Sequence, residues 1–369
     1  MNRILHVIDT TGPGGAETVF IELLSRLQSD RYESIVVIRG TGWVYDELSH
    51  RGFEPYIVDA KGSFNFRYLL ELMKIVRKEK IDLIQAHLLG SGVYCSIVSL
   101  LTRVPVVVTL HGLVDVDGER FLSAKFFIIN KFSNRLVLVS KDLLSHLRGI
   151  VALNDEAISV IYNGADLKSY ALEKHQKLKV ELGLNSADVL IGSVGNVRPA
   201  KAYDILLRAA ALLAQREPRV KFLVVGDTEN NLFQEISALR SELSLDETVF
   251  FLGFRQNIPE FLAGIDIFLL SSISEGCPVS VAEAMASHVP MVVTDCGGVS
   301  EMVEDGSSAL MCEPGSPEAI LGSLERLLND HVLREKLAKN GWEVSKLKFS
   351  MNAMLNSYRS IYEGLLGKK

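Results

Sequence analysis

Short apolar runs rich in β-branched residues alternate along this chain with stretches of helical spacing, and that alternation restricts the fold more than any other feature. Strand-like runs fall at Arg3–Asp9, Ser34–Arg39, Pro55–Asp59, Asp82–His87, Pro105–His111, Arg135–Ser140 and Ile158–Tyr162. Helical spacing fills Ala16–Gln28, Tyr68–Lys80, Val93–Thr102, Glu119–Phe132 and Lys141–Leu147. Strands separated by helices pair in parallel, so the pattern predicts an α/β fold with a doubly wound sheet. The alternation pauses over Asn163–Leu184, where Tyr170–Lys177 is polar and charged. It restarts with runs at Val189–Val194, Lys221–Gly226, Val249–Gly253, Ile265–Leu270, Pro290–Thr294 and Ala309–Cys312, with helices such as Asp204–Gln215 and Pro317–Leu328 between them. Two Rossmann-like domains of similar size are expected, 1–165 and 166–349, facing a central cleft.

Composition removes several classes. Of the 369 residues, 48% are apolar and 23% charged, ordinary for a globular protein. The 39 basic and 45 acidic side chains give a net charge of −6, which argues against nucleic acid as a partner. Cys95, Cys277, Cys296 and Cys312 form no C-x-x-C pair, so neither a zinc cage nor a disulfide framework is expected and a cytoplasmic setting is the default. The chain opens on a strand-like segment and not on a secretion signal. From Leu83 to Val114 the only charge is Arg103, a length that would admit a membrane span. Gln85, His87, Gly90, Gly92 and Pro105 interrupt it, and strand, loop, helix and strand of a buried core is the better reading.

Ligands of doubly wound sheets bind outside the carboxyl ends of the strands, and the residues with chemistry gather there. Gly12-Pro13-Gly14-Gly15-Ala16-Glu17 lets backbone N–H groups approach an anion at a helix start, yet Glu17 stands where the dinucleotide fingerprint needs Gly or Ala. A nicotinamide cofactor is therefore a weak reading. Ser274 through Ala286 joins a strand to a helix beginning near Ser280. Glu275 can point into the cleft, whereas Ser280-x-x-Glu283 also spells a capping box, and spacing alone leaves capping and ligand binding open for Glu283. In Gly195-Asn196-Val197-Arg198-Pro199-Ala200-Lys201, Arg198 and Lys201 either neutralise a leaving diphosphate or are solvated surface charges. His87 and His111 each end a strand. Two such histidines at one cleft favour a functional role for at least one. Asp115-Val116-Asp117 spells D-x-D but reads as a solvated acidic turn.

Taken in order, these residues resemble the retaining glycosyltransferases of family 4 (glycosyl transferases group 1, GT-B fold), over nearly the whole chain. The most specific part is Glu275 through Glu283, an E-x7-E element, followed by Ala284-Met285-Ala286 and Pro290 through Glu301. Supporting pieces are Gly14-Gly15-Ala16-Glu17, His111-Gly112, Tyr162-Asn163-Gly164-Ala165-Asp166, Val225-Gly226-Asp227, Phe251-Leu252-Gly253-Phe254 and Asp266-Ile267-Phe268.

The resemblance implies a nucleotide-sugar donor held mainly by the second domain. Glu283 would bind the ribose and Glu275 the donor sugar. Pro278, Val279 and Ser280, by their backbone, and Lys201 would hold the diphosphate. Leu252, Gly253 and Phe254 would border the base, and Asn196 and Gly226 join the donor set. Gly14 and Gly15 would approach the donor phosphate from the first domain, and His111 would lie beside the transferred sugar. Glu17 and His87 are weaker candidates on the acceptor side. The family usually has an Arg where Asn196 stands, and Arg198 is the candidate to replace its charge. A helix at about 350–369 would return to the first domain. Retention without a metal or other cofactor is implied, with a glycan or glycolipid acceptor in surface polysaccharide or glycolipid synthesis. A UDP-sugar is the first choice of donor. A GT-B epimerase or a silent sugar-nucleotide-binding subunit is the alternative. Phe121, Phe126, Phe127, Ile128 and Ile129 with Lys125 and Lys131 can form either a core-packed helix or a peripheral contact with the inner face of a membrane.

Overall fold

The computed structural model describes residues 1–28, 31–59 and 65–367. The chain divides into two compact units, one of Met1–Tyr162 with the segment from Met354 onward, the other of Asn163–Ala353. The last two residues of the expected terminal helix lie outside the described residues.

The first unit carries β1 (Asn2–Ile8), β2 (Tyr32–Ile38), β3 (Tyr56–Ile57), β4 (Leu83–His87), β5 (Val106–Leu110), β6 (Arg135–Leu138) and β7 (Ile158–Val160). They form one parallel sheet in the order β3-β2-β1-β4-β5-β6-β7. The strand order reverses between β1 and β4, which creates the crevice where such sheets take ligands. Every residue of β4 and β5 is buried, as expected of strands covered by helices on both faces.

The uncharged stretch resolves into β4, a helix at Leu89–Thr102 and β5. Among the described residues no helix is long and apolar enough to cross a membrane. The helix begins a turn before the expected Val93 because Gly90 and Gly92, expected in a loop, serve close packing. A Cβ at Gly92 would meet a Val108 methyl at 2.5 Å, and one at Gly90 the Asp9 carboxylate at 2.1 Å. A helix at Trp43–His50 has no counterpart in the sequence reading. The helix expected from Glu119 begins at Leu122, after Phe121 in left-handed backbone (φ 58°).

The second unit holds β8 (Val189–Val194), β9 (Val220–Val225), β10 (Val249–Phe251), β11 (Ile267–Leu270), β12 (Met291–Thr294) and β13 (Leu310–Cys312). Their order is β10-β9-β8-β11-β12-β13, again all parallel, with the reversal between β8 and β11. The polar pause contains two short helices, Leu167–Tyr170 and Lys177–Glu181. The division at Tyr162/Asn163 falls before the expected junction at 165 for a local reason. Ala165 N–H donates to Phe349 O (2.9 Å), Met351 N–H donates to Ala165 O (2.8 Å), and a Cβ at Gly164 would meet the Ser350 carbonyl at 2.4 Å.

The terminal helix Met351–Leu366 supplies the first unit with two fully buried tyrosines. Tyr362 OH donates to Gln85 Oε1 (2.8 Å), and Tyr358 OH lies 3.1 Å from Thr109 Oγ1. Gln85 and Thr109 are themselves fully buried. These bonds satisfy polar groups that would otherwise cost about 1–3 kcal/mol each.

Candidate functional site

The richest edge of the second unit lies around the ends of β8 and β11. After β8 the chain turns at Gly195, where Tyr203 OH donates to Gly195 O (2.6 Å). Gly226, ending β9, has no room for a side chain: its Cβ would sit 2.0 Å from Gly195 O. Asn196 Oδ1 accepts the N–H of Asp227 (2.9 Å), tying the two loops together. Gly226 N–H in turn donates to the carbonyl of Gly253 (3.0 Å), a residue in left-handed backbone (φ 69°) beside half-exposed Phe254. Arg198 is exposed, and its carbonyl receives the Lys201 N–H (3.0 Å).

Lys201 closes a short 3₁₀ turn, Pro199–Lys201, and its Nζ lies 2.7 Å from Glu275 Oε1. The Ser272 hydroxyl donates to the same carboxylate oxygen (2.7 Å). Both partners of the ion pair are largely withdrawn from water, with side-chain exposures of 19% and 13%. The backbone of Glu275 is fixed as well. Its carbonyl accepts the N–H of Gly298 (3.1 Å), and Gly297 (φ 53°) approaches so closely that a Cβ would meet that oxygen at 1.9 Å. Asn163 Nδ2 donates to Cys277 O (2.7 Å) and secures the end of the same loop. Burial pushes the Cys277 thiol up to about 12, so it stays protonated and inert.

The next helix, Val279–Ala286, has Pro278 as its N-cap. This overturns the capping-box reading. Ser280 is the second helical residue, its hydroxyl has no hydrogen-bond partner, and Glu283 is the fifth residue, beyond reach of an N-cap amide. Glu283 is buried and accepts a hydrogen bond from Tyr170 OH. Its carboxylate is thus held from the side by a helix that sequence patterning did not reveal.

In the first unit, Gly14 is the extended N-cap of the helix Gly15–Leu27, and Glu17 is buried in that helix's first turn. His111 follows β5, and its backbone N–H donates to Asp115 Oδ2 (2.5 Å). Asp115 is therefore no solvated turn residue. Burial, with the nearby charges of Glu17 and Asp9, pushes its carboxyl up to about 7, and burial pushes Asp9 up to about 6. Asp117 is exposed, as expected. Among the described residues no cluster of three or more His, Cys, Asp or Glu is arranged to hold a metal ion.

His87 ends β4 opposite Thr109 in the register, and its Nδ1 lies 2.9 Å from His111 Nε2. The structure brings the two histidines together but separates their roles. His111 is half-buried, whereas His87 is fully enclosed and cannot touch an acceptor, contrary to expectation. Burial lowers both imidazoles, His111 to about 4 and His87 well below its usual value, so both are neutral at physiological pH.

Sequence reasoning missed Ser272, Tyr170 and Tyr203, and it used Asn163 only as part of a motif. Two signals were present: Ser271-Ser272 at a strand end and a Tyr in the polar pause.

Two family models match in tandem: "Glycosyltransferase Family 4" over residues 13–169 and "Glycosyl transferases group 1" over residues 174–344. The chain is 26% identical over 301 residues to the N-acetyl-alpha-D-glucosaminyl L-malate synthase of Bacillus anthracis, covering 80% of this chain and 78% of that protein. It is also 26% identical over 366 residues to the UDP-Gal:alpha-D-GlcNAc-diphosphoundecaprenol alpha-1,3-galactosyltransferase of Escherichia coli, covering 93% and 94%. Among solved structures, Anabaena Alr3699/HepE in complex with UDP-glucose superimposes with a TM-score of 0.87 at 24% identity, over 98% of this chain and 99% of that one. The glycosyltransferase from Rickettsia africae also gives 0.87, at 21% identity over 100% and 99%. Both share the GT-B fold of two Rossmann-like domains. With matched models spanning both sheets, the chain belongs to the family 4 glycosyltransferases, the glycosyl transferases group 1.

Proposed function

We propose that the protein transfers a sugar from a nucleotide-sugar, a UDP-sugar first among them, to a saccharide or lipid-linked acceptor with retention of configuration and without a metal. The observation that carries this reading is the Lys201–Glu275 pair, 2.7 Å apart, which joins the turn after β8 to the loop that leads into the helix Val279–Ala286. A cation, a carboxylate and free helix-start N–H groups together fit a sugar diphosphate. Lys201 and the backbone N–H groups of Val279 and Ser280, on the helix that Pro278 caps, take the diphosphate, and Glu275 takes hydroxyls of the sugar. Glu283 takes the ribose, and Leu252, Gly253 and Phe254 border the base. In the first unit, Gly14 and Gly15 are the candidates for approach to a phosphate and His111 for contact with a sugar. The E. coli relative's name gives a UDP-Gal donor and a diphosphoundecaprenol-linked acceptor, which supports the donor and acceptor classes chosen here and a place in surface polysaccharide or glycolipid assembly.

Retaining glycosidases use two carboxylates about 5–5.5 Å apart, one as nucleophile. Glu275 is engaged by Lys201 and Ser272, and Glu283 by Tyr170, so neither is set up as a free nucleophile. A front-face substitution suits the site better. The bond from the sugar's anomeric carbon to the diphosphate oxygen breaks, the bond to the acceptor oxygen forms on the same face, and the acceptor proton passes to the departing diphosphate. The protein orients the partners and stabilises the growing negative charge.

Thermal-shift titration with UDP-, GDP- and ADP-sugars, followed by product analysis with and without acceptor, tests this reading. A new glycosidic product of unchanged anomeric configuration, formed only with acceptor and unaffected by EDTA, is expected. Turnover without acceptor would favour an epimerase, and nucleotide binding without any turnover a silent subunit. Glu275→Ala is expected to keep affinity for UDP and lose transfer.

A peripheral contact with the inner face of a membrane is part of the proposal. Phe126 and Ile129 pack into the core, but Phe127 (61% exposed) and Phe121 (81%) face out, with Lys131 Nζ 5.5 Å from the Phe127 ring centre. Co-sedimentation with vesicles containing anionic lipid, lost in a Phe121→Ser/Phe127→Ser double variant, is the expected result.

A further inference from the structure

Ser271 and Ser272 follow β11 side by side, and each holds one partner of the Lys201–Glu275 pair in a different way. The Ser271 hydroxyl donates to the backbone carbonyl of Lys201 (2.9 Å), and the Ile273 N–H donates to the carbonyl of Ala200 (2.8 Å). The Lys201 backbone is thereby tied to the strand end, while among the described residues its ammonium donates only to Glu275. The Ser272 hydroxyl instead donates to the Glu275 carboxylate itself, at Oε1 (2.7 Å). Ser272 is fully buried, and its own carbonyl accepts the Thr294 hydroxyl at the end of β12.

The two charges are therefore held unequally. Glu275 is anchored at both ends, by the Gly298 N–H at its carbonyl (3.1 Å) and by Ser272 at its carboxylate. Lys201 is anchored at its backbone alone. Its stem lies over Gly195, where a Cβ would meet Lys201 Cε at 2.6 Å, and an ammonium on a flexible four-carbon stem can turn to a new anion without backbone movement. The two oxygens of Glu275 differ as well. Oε1 takes both donors, whereas Oε2 accepts no hydrogen bond among the described residues and is not sealed from solvent. Were Lys201 the only partner of this carboxylate, a diphosphate that drew the ammonium away would leave Glu275 free to rotate. With Ser272 in place, Oε1 keeps a donor after the cation has turned. That donor is neutral, so it adds no charge to compete with Lys201 for the phosphate.

We infer that Ser272 is a positioning residue: when a nucleoside diphosphate draws Lys201 away, the Ser272 hydroxyl stays on Glu275 Oε1, holds the carboxylate where it stands and leaves Oε2 as the acceptor for a hydroxyl of the donor sugar. Only the cation moves on binding. The carboxylate is set in place before the donor arrives, so no ordering of its side chain is left to the moment of reaction. The inference rests on the reading of Lys201 as a diphosphate ligand and of Glu275 as a ligand of the donor sugar.

A crystal structure of the full wild-type chain with UDP tests it directly. The expected result is Lys201 Nζ on a phosphate oxygen and off Glu275, with Ser272 Oγ still in hydrogen-bond contact with Oε1. A carboxylate that has left Ser272, or that Lys201 still holds, overturns the inference. UDP that fails to bind, or binds without touching Lys201, overturns the reading of the site instead. Kinetics with whichever of UDP-glucose and UDP-galactose gives product supply a readout that a merely structural serine would not move. Ser272→Ala should bind UDP as wild type does and lose kcat/KM for transfer on the order of 10–100-fold, the factor that one hydrogen bond to a charged group corresponds to. In the Glu275→Ala background the same substitution should leave the residual turnover unchanged, because Ser272 acts through that carboxylate. Full activity of Ser272→Ala beside an impaired Glu275→Ala sinks the positioning role, and so do additive losses in the double variant. A Glu275→Ala variant as active as wild type sinks the reading of Glu275 itself.

Discussion

The carboxyl edges of the two sheets solve opposite electrostatic problems. In the second unit the edge is ionic: Lys201 and Glu275 neutralise each other at 2.7 Å while still a little exposed to water. In the first unit it is dipolar: His87 and His111 are kept neutral, and Asp9 and Asp115 are pushed toward neutrality by burial. An ion pair holds charges ready for exchange, and on the proposed reading a diphosphate takes the place of the carboxylate on Lys201. An edge of weakened charge can present fixed hydrogen bonds to hydroxyl groups.

The sharpest way to break this contrast is Lys201→Ala. It should lower kcat by about 10²–10³, the effect of losing one transition-state charge contact. Steady-state kinetics with the donor identified by thermal shift will read it, and a loss below tenfold would remove Lys201 from the diphosphate site. Glu283→Ala comes next. A hydrogen bond to a charged group is worth about 1.5–3 kcal/mol, so donor affinity measured by calorimetry should fall on the order of 10–100-fold. The companion Tyr170→Phe should bind donor nearly as wild type, because it removes only the lateral support.

A smaller effect is expected at the exposed Arg198. Arg198→Ala should slow transfer, whereas Asn196→Arg should compensate for it only partly, because Asn196 Oδ1 also holds the Asp227 N–H. If Arg198→Ala is fully active and Asn196→Arg alone accelerates turnover, Arg198 is a surface residue and the site works with one cation.

The smallest effect sharpens the neutral edge. A carboxyl whose folded pKa stands above its unfolded value stabilises the fold fully below the unfolded value and loses that contribution as pH rises through the folded one. For Asp115 the window runs from the ordinary carboxylate range up to about 7. Asp115→Asn should therefore raise Tm at pH 8, by about 2–4 °C for each kcal/mol gained, and leave it nearly unchanged at pH 4. A lower Tm at pH 8 would mean that the ionised carboxylate is needed on the His111 N–H.

The two edges also differ in how far sequence could foresee them. Parallel strands buried on both faces must be continuous apolar runs, so β1, β4, β5, β8, β11 and β12 were legible within a residue or two. Glu275, Glu283, Lys201 and His111 were legible as candidates because their positions are tied to strand ends and to an ordered motif. Their partners were not. The Lys201–Glu275 bond joins loops after different strands, and Tyr170 reaches Glu283 from a segment without periodicity. Gly90 and Gly92 misled because a helix packed against a strand needs small residues as much as a loop does. The capping box failed because Pro278, with its fixed φ, starts the helix two residues before Ser280. The withdrawal of Asp115 and the link between His87 and His111 depend on which strands become neighbours, a fact of sheet order that local pattern does not carry.

The two buried tyrosines of the terminal helix bear on how the protein is made. Domains emerging from the ribosome usually fold in order of synthesis. Here the first sheet leaves the exit tunnel with Gln85 and Thr109 sealed in its interior, while the hydroxyls that complete them, on Tyr362 and Tyr358, are translated only after the whole second unit. A nascent chain stopped before Met354 lacks both hydroxyls and leaves Gln85 Oε1 without its Tyr362 partner. The helix Met351–Leu366 thus joins the earliest part of the fold late in synthesis, and a stop codon before Met354 should leave a first unit that lacks these bonds beside a second unit that has all its strands.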